Sequence, residues 1–132
     1  MDCLFCKIIA GEIPSYKVYE NEYVYAFLDI TPDADGHTLI IPKQHSKNLS
    51  ETNDLYLSEV AKAKKVVAEL LTEKLNAKGF NYVSNENEIA HQMVFHYHEH
   101  VIPKYVFKEG YSPSKNPTNI SDLQTIINKI KE

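Results

Sequence analysis

The chain contains no arginine, and its cationic side chains are all lysines. Without the bidentate guanidinium fork, any phosphate group must be held by backbone N–H groups, lysine or histidine. The net charge of -4 argues against general nucleic-acid or membrane-surface binding, because both of these partners are negatively charged. We therefore expect no nucleic-acid partner and no membrane partner.

Long apolar runs are also missing. No window reaches the length that a membrane helix needs, and the start "MDCLFCKIIAGEIPS" has an acidic second residue and no basic region typical of a signal peptide. Cys3 and Cys6 are the only cysteines. Two thiols in a cytosolic chain favour metal or redox chemistry over a structural disulfide. We expect a cytoplasmic protein.

What remains is an ordinary globular composition. The 132 residues are 43% hydrophobic and 24% charged, which predicts one domain, residues 1–132, with a core of its own. The runs "YKVYE" and "YVYAFLDI" predict a hairpin, and "HTLIIP" predicts a buried strand. "FNYVS" and "MVFHYHEHVIP" predict two more strands, the second a long one that carries three histidines.

Helical signals separate these strands. Apolar residues recur at helical spacing from Asn53 to Asn76, with Asn53 or Asp54 as a possible cap and Gly79 as the stop signal. A short helix is expected near residues 5–10, and a last helix follows a capping box formed by Ser121 and Gln124. Antiparallel strands with one long helix and shorter N- and C-terminal helices indicate an α+β fold.

The stretch "VFHYHEHVIPK" places His96, His98 and His100 at every second position. On a strand these three side chains share one face, with Tyr97 and Glu99 on the other. Imidazoles this close have coupled titrations, so at least one stays neutral near pH 7 and can act as a nucleophile while another stabilises charge. A surface ladder of histidines and an accidental metal site are the plain alternatives.

Further candidate ligands lie outside this stretch. His37 begins the "HTLIIP" strand, and His45 follows "IPK". The C-x-x-C pair formed by Cys3 and Cys6 is a moderate zinc signal, whose plain alternative is two reduced thiols packed in a turn. With histidines to complete it, a tetrahedral Cys2His2 site is credible.

These residues together resemble the histidine triad (HIT) family, in its Hint-like bacterial branch. The likeness runs from "CLFCKIIAGEIPSYKVYENEYVYAFLDI" through "GHTLIIPKQH" to "QMVFHYHEHVIPKY". It covers a core of about residues 3–105, and residues 106–132 form a C-terminal loop and helix. The family signature is His-φ-His-φ-His-φ-φ, where φ is hydrophobic. The resemblance implies a HIT-like fold and a homodimer whose two sheets join.

The resemblance also implies an activity. Family members are nucleotide-binding phosphoramidases or nucleotidyl hydrolases, so purine nucleotide monophosphate adducts are the implied substrates. The middle histidine, His98, would attack the α-phosphorus and form a nucleotidyl-histidine that water then hydrolyses. His100 and His37 would orient the nucleophile and shape the phosphate site, and His96 completes the triad.

The nucleotide-binding residues also follow from the resemblance. Asp29 matches the acid that hydrogen-bonds the ribose hydroxyls, Asn85 a phosphate contact, and Gln92 the glutamine before the triad. The walls of the base pocket correspond to four apolar residues, which would otherwise be plain core: Phe5, Ile8, Ile13 and Leu39.

In zinc-containing relatives, the two cysteines, the histidine after "IPK" and the first histidine of the triad hold the metal. The resemblance carries these roles over to Cys3, Cys6, His45 and His96. Four protein ligands leave no position for a reactive water, so the implied zinc is structural.

Three residues depart from the family pattern. His91 replaces a glycine, Met93 replaces a hydroxyl residue that would contact the leaving group, and Glu99 occupies a hydrophobic position. A thioether cannot donate a hydrogen bond, so we hypothesise that His91 supplies the lost donor. A dinucleoside polyphosphate hydrolase and a weakly active, zinc-stabilised nucleotide-binding or scaffold module are the alternative functions.

Overall fold

Residues 2–132, which the computed structural model describes, form a five-stranded antiparallel sheet and three α-helices, the α+β fold predicted from the sequence. The strands lie in the order β1-β2-β3-β5-β4. The strands are β1 (Lys17–Glu20), β2 (Val24–Leu28), β3 (Thr38–Pro42), β4 (Gly79–Val83) and β5 (Glu99–Lys104), and the helices are α1 (Leu4–Ile9), α2 (Asp54–Leu75) and α3 (Leu123–Ile130).

Helix α2 covers one face of the sheet. Its buried side chains recur at helical spacing and pack on β2, β3 and β5, and they are Val60, Ala63, Val67 and Leu71. The Asn53 side chain caps the helix by accepting from the Tyr56 N–H. The predicted stop at Gly79 is wrong, because Asn76 adopts the left-handed conformation with φ 62° and ends the helix three residues earlier.

The opposite face of the sheet is covered only in part. The six-residue helix α1 packs Phe5 and Ile8 against Phe27, Leu39 and neighbouring residues of β2 and β3. Because α1 is so short, it leaves an open space beside it above the sheet. The histidines of the candidate site lie on this face.

The predicted long strand over residues 93–103 is wrong in its first half, because β5 begins only at Glu99. Upstream of it the Tyr97 N–H donates to the Ser46 carbonyl oxygen, and the His96 ring contacts the Pro42 carbonyl oxygen. These contacts bind the segment to the last residue of β3 and to the loop that follows it, without the regular pairing of a strand. The predicted alternation of faces still holds, since Tyr97 joins the core beneath α2 and His98 lies on the other side.

The C-terminal segment carries α3. Asp122 caps this helix by accepting from the Thr125 N–H, so the predicted capping box that begins at Ser121 is wrong by one residue. Over residues 2–132, no helix has both the length and the apolar character required to cross a bilayer.

Candidate functional site

A cavity of about 490 Å³ opens beside α1 on the face away from α2. Its wall includes six of the seven residues expected to bind nucleotide: Asp29, Phe5, Ile8, Ile13, Leu39 and Asn85. His98 and His100 line the same cavity. The structure therefore brings apolar walls, a carboxylate and two triad histidines to one space.

His98 presents a lone pair to this cavity. The His98 Nδ1 atom lies 2.8 Å from the His96 carbonyl oxygen, and a carbonyl oxygen only accepts, so Nδ1 carries the proton. Among residues 2–132 no hydrogen-bonding group contacts Nε2, which holds the lone pair. Phe5 packs edge-on against the imidazole with ring centroids 5.1 Å apart. Only 8% of the His98 residue is exposed. The arrangement produces a fixed, neutral imidazole whose free nitrogen can attack an electrophile.

The other two histidines of the predicted catalytic group form a chain of hydrogen bonds. The Asp33 N–H donates to His37 Nδ1 at 3.1 Å, so the His37 proton lies on Nε2. That Nε2–H donates to His100 Nδ1 at 3.0 Å, which puts the His100 proton on its own Nε2. His100 therefore offers an N–H donor where His98 offers a lone pair.

Burial keeps these rings neutral. It lowers the pKa of His100 to about 4, with further lowering from the charges that His98 and His37 would carry. Burial likewise lowers the pKa values of His98 and His37, against the opposing effect of nearby carboxylates. At pH 7 the hydrogen-bond directions given above therefore describe the prevailing protonation state.

Asp29 follows the last residue of β2 directly and lines the cavity. Its Oδ1 atom accepts from the Thr31 N–H at 2.8 Å and from the Thr31 hydroxyl at 3.1 Å. Its Oδ2 atom lies 3.5 Å from His37 Nε2 and is otherwise available. A carboxylate held by its own turn, with one oxygen free, suits the acceptor role predicted for it.

His96 belongs to a different cluster. Its Nε2–H donates to the Pro42 carbonyl oxygen at 2.9 Å, so the lone pair is on Nδ1. That Nδ1 lies 3.3 Å from Cys3 Sγ, 3.5 Å from Cys6 Sγ and 3.1 Å from His45 Nδ1. The four predicted metal ligands thus converge, with ligand atoms within 4.8 Å of one another. His96 does not line the cavity beside α1.

This cluster fits a tetrahedral zinc ion. Zn–S and Zn–N bonds of ordinary length place ligand atoms roughly 3.3–3.8 Å apart at tetrahedral angles, close to the separations found here. Burial lowers the pKa of His96 to about 4, which leaves its Nδ1 free to coordinate. Burial and the adjacent Cys3 thiol raise the pKa of Cys6 to about 11. A pair of thiolates in this place needs a cation to stabilise it.

Gln92 lies beneath the cavity instead of on its wall. Its side-chain oxygen accepts from the Asn87 N–H at 2.8 Å, and its amide nitrogen donates to the carbonyl oxygens of Lys47 and Val94. All of these contacts brace the loop before the triad. Its predicted nucleotide contact stays a prediction.

Two of the three residues that depart from the family pattern lie in this loop, and both of them line the cavity. They are His91 and Met93, and both side chains are exposed. His91 has φ 70°, the left-handed conformation that glycine adopts without strain and other residues rarely adopt. The third departure, Glu99, is buried on the opposite face, where it accepts from the Tyr97 hydroxyl at 2.6 Å and contacts Lys64 Nζ at 3.2 Å.

Asp33 and Tyr111 were not predicted as site residues, although both lie close to the histidines. Asp33 belongs to "TPDADG", whose composition signalled only a turn. An acidic residue four positions before His37 was the available signal. Tyr111 carries no such signal, because only the path of the C-terminal segment brings it here.

Known proteins resemble this chain both in sequence and in structure. Residues 10–107 match the HIT domain family. The crystal structure of a HIT family member from Bacillus subtilis superposes with a TM-score of 0.89 at 41% identity, covering 99% of this chain and 96% of that chain.

Of two other relatives, one is named for an activity and the other for a bound metal. An adenosine 5'-monophosphoramidase of Candida albicans, HNT1, is 46% identical over 98% of this chain and 90% of its own length. A Zn-bound histidine triad family protein from Mycobacterium smegmatis superposes with a TM-score of 0.79 at 36% identity, over 89% of this chain and 85% of that chain. With the family match spanning most of the sequence, the chain belongs to the HIT domain family.

Proposed function

We propose that this protein is a nucleotidyl hydrolase that cleaves adenosine 5′-monophosphate adducts through a nucleotidyl intermediate on His98. The cleaved bond is P–N or an acyl or phospho-anhydride bond. The observation that carries the proposal is the free Nε2 lone pair of His98, held at the cavity wall by the bond from Nδ1–H to the His96 carbonyl oxygen. The Candida relative is named for the same class of activity.

The reaction divides one displacement into two. His98 Nε2 attacks the α-phosphorus, the N–P bond forms and leaves the imidazole positively charged, and the bond to the leaving amine breaks as that nitrogen takes up a proton from water. A second water then attacks the phosphorus and releases a proton to solvent, the bond to His98 breaks, and AMP leaves. His98 returns to its neutral form, with its proton on Nδ1.

The charge on the phosphoryl group needs donors, and the described part of the chain places no lysine on the cavity wall. The Nε2–H of His100 is aligned by His37 and Asp33 and supplies one such donor. A preorganised donor of this kind stabilises the oxygens on which negative charge accumulates. We therefore assign His100 to charge stabilisation and His37 to holding its tautomer.

Two alternatives compete with this proposal. A dinucleoside polyphosphate hydrolase would use the same nucleophile on a phosphoanhydride, and a binding or scaffold module would turn over little. A module that only binds has no need of the oriented lone pair on His98, so the geometry favours an enzyme.

Trapping the intermediate tests the proposal. Wild-type protein, mixed with an AMP phosphoramidate labelled at the α-phosphorus and then denatured, should retain label on the chain. His98→Ala should retain none, and its kcat should fall at least about a thousandfold. His98→Asn is the matched control for folding, since its amide N–H still donates to the His96 carbonyl oxygen. Equal labelling or turnover in wild type and His98→Asn would contradict the proposal.

We further propose that Cys3, Cys6, His45 and His96 bind a structural zinc ion. The support is the convergence of two thiols and two ring nitrogens and the Zn-bound relative. When bound, the zinc would cross-link the start of α1, the loop after β3 and the segment before His98. It would have no position left for a reactive water.

A homodimer and a cytoplasmic location complete the proposal. Strand β4 lies at an edge of the sheet, where backbone groups are available to pair with a second copy. Sedimentation of the purified protein distinguishes a dimer of about twice 15.1 kDa from a monomer.

A further inference from the structure

A second cavity of about 330 Å³ adjoins the nucleotide cavity. The two cavities share part of their walls, namely Asp29, Thr31, Asn85, His91 and His100. His98 lines only the first cavity, whereas His37, Asp33 and Tyr111 line only the second. His100 therefore separates the nucleophile from the second cavity.

The second cavity is rich in hydrogen-bond acceptors. Two carboxylates, Asp29 and Asp33, lie on its wall, and its described lining includes no lysine. The Asp33 side chain is 48% exposed, and its Oδ2 atom lies 3.7 Å from His37 Nδ1. That nitrogen accepts from the Asp33 N–H and so has no proton to give. The Asp33 carboxylate is thus free to receive a cation.

The C-terminal segment forms one side of this cavity. Lys104 Nζ donates to the Tyr111 carbonyl oxygen at 2.7 Å, and the Tyr105 hydroxyl donates to the Asp35 carbonyl oxygen at 2.7 Å. Gly110, with φ 81°, fits closely against the turn, since a Cβ there would lie 3.5 Å from the Asp33 carbonyl oxygen. These contacts hold Tyr111 across from Asp33.

The position of the second cavity suits a leaving group. In an in-line displacement the leaving group departs on the side of the phosphorus opposite the nucleophile. His98 lines only the first cavity, and the boundary that the two cavities share, which includes Asn85, His91 and His100, is the passage by which a leaving group would reach the second. The leaving portion of an adduct then continues toward Asp33.

We propose that the second cavity is the leaving-group compartment and that Asp33 selects adducts whose leaving portion carries a positive charge. This inference rests on the proposed hydrolysis of AMP adducts and adds the class of substrate. An anionic leaving portion, such as the second nucleotide of a dinucleoside polyphosphate, would meet two carboxylates there. The compartment thus disfavours that alternative substrate.

Three AMP phosphoramidates of equal chain length test the inference. Their leaving amines are 1,4-diaminobutane, butylamine and 4-aminobutyrate, which are cationic, neutral and anionic at the far end. Wild type should show kcat/KM in that descending order. In Asp33→Asn, which keeps the backbone donor to His37, the cationic-to-neutral ratio should fall about two- to fivefold, the effect expected of a partly exposed ion pair. Rising salt should compress the wild-type ratio.

Asp35→Asn is the matched control, because Asp35 is exposed in the same turn but lies outside the second cavity. The cationic-to-neutral ratio of kcat/KM in Asp35→Asn should equal that of the wild type. Equal kcat/KM for the three adducts in wild type, or an unchanged ratio in Asp33→Asn, would overturn the inference while leaving the proposed function intact. Failure to hydrolyse even the butylamine adduct would overturn the proposed function and this inference with it.

Discussion

The residues His96, His98 and His100 carry the same side chain, but His98 holds its proton on Nδ1 whereas His96 and His100 hold theirs on Nε2. His96 donates from Nε2 to the Pro42 carbonyl oxygen, and His98 donates from Nδ1 to the His96 carbonyl oxygen. His100 accepts at Nδ1 from His37 and so keeps its proton on Nε2. One free lone pair therefore faces the cluster of Cys3, Cys6 and His45, another faces the cavity beside α1, and the third ring offers an N–H donor.

The neutrality of His100 makes stability depend on pH. Its pKa is about 4 in the folded protein against the ordinary 6.5, so between these values the unfolded chain binds more protons. Stability should then fall as pH drops from about 6.5 toward 4, with a slope from this group of up to about 1.4 kcal/mol per pH unit. Urea unfolding of wild type and His100→Gln from pH 7 to 5 measures it. The free-energy difference between them should shrink on acidification, and a constant difference would contradict the assignment.

His91 combines backbone strain with a position at both cavities. A non-glycine residue at φ 70° costs about 1 kcal/mol. His91→Gly should therefore raise the melting temperature by roughly 2–4 °C. His91→Ala keeps the Cβ and should not. A melting temperature no higher in His91→Gly than in His91→Ala would show that the strain is absent.

The same two variants test the hypothesis that His91 supplies the donor that Met93 lacks. Both remove the imidazole, so both should lower kcat for an AMP phosphoramidate by about tenfold or more. Unchanged turnover in both variants would rule out this role. A loss in His91→Gly alone would instead point to loop flexibility.

At the scale of elements, strand β5 shows where sequence patterns stop being informative. The every-second-position histidines predicted one long strand, yet only the part from Glu99 onward pairs in the sheet. The alternation of faces survived because an extended chain alternates whether or not it is paired. The departure from the sheet depends on contacts with Ser46 and Pro42, far away in sequence. The helices were easier to predict, since caps and apolar spacing are local signals.

Glu99 joins β5 to α2 through Lys64, beside the Tyr97 hydroxyl. Burial, with the hydrogen bond to Glu99, raises the pKa of Tyr97, which therefore stays a donor. Glu99→Ala should lose about 2–4 kcal/mol of unfolding free energy, because the hydroxyl and the ammonium lose their acceptor. Glu99→Gln, whose amide oxygen still accepts, should lose about 1 kcal/mol.

Lys64→Met completes a double-mutant cycle with Glu99→Gln. The 26% exposure of the Lys64 side chain weakens the pair by solvent screening, so the coupling free energy should be about 1 kcal/mol or less. Urea unfolding of the four proteins gives this value. A Glu99→Ala variant as stable as the wild type would contradict the role of Glu99.

At the scale of the whole molecule, one face of the sheet carries the main hydrophobic core and the other face carries the candidate site. Helix α2 covers the larger of the two clusters of buried apolar residues, while the thinly covered face holds the two cavities of the candidate site and the cluster of Cys3, Cys6, His45 and His96. The resemblance named in advance about half of the residues that line the first cavity. It could not supply the second cavity, since Asp33 and Tyr111 meet only through the path of the C-terminal segment. The division into a core of residues 3–105 and a tail stays a prediction.

The cluster of Cys3, Cys6, His45 and His96 joins three segments of the chain. We therefore expect loss of zinc to lower the stability of the whole fold. Protein purified without chelator should contain about one zinc per chain, and less than half would count against the site. Loss of a tightly bound ion costs several kcal/mol, so a strong chelator should lower the melting temperature by about 10 °C. Turnover measured well below that temperature should persist, because the four-ligand site has no reactive water.

His45→Ala is the matched variant for this experiment. His45 is exposed, so its truncation costs little packing and acts mainly through the loss of a ligand. The variant should melt near the chelated wild type, and the chelator should then lower its melting temperature no further. If chelation abolished turnover while the wild-type melting temperature held, the metal would act in the chemistry rather than in the fold. We predict the opposite order, because His96 precedes His98 by only two residues. Chelation should first destabilise the fold around the nucleophile, and activity should be lost only when the fold is lost.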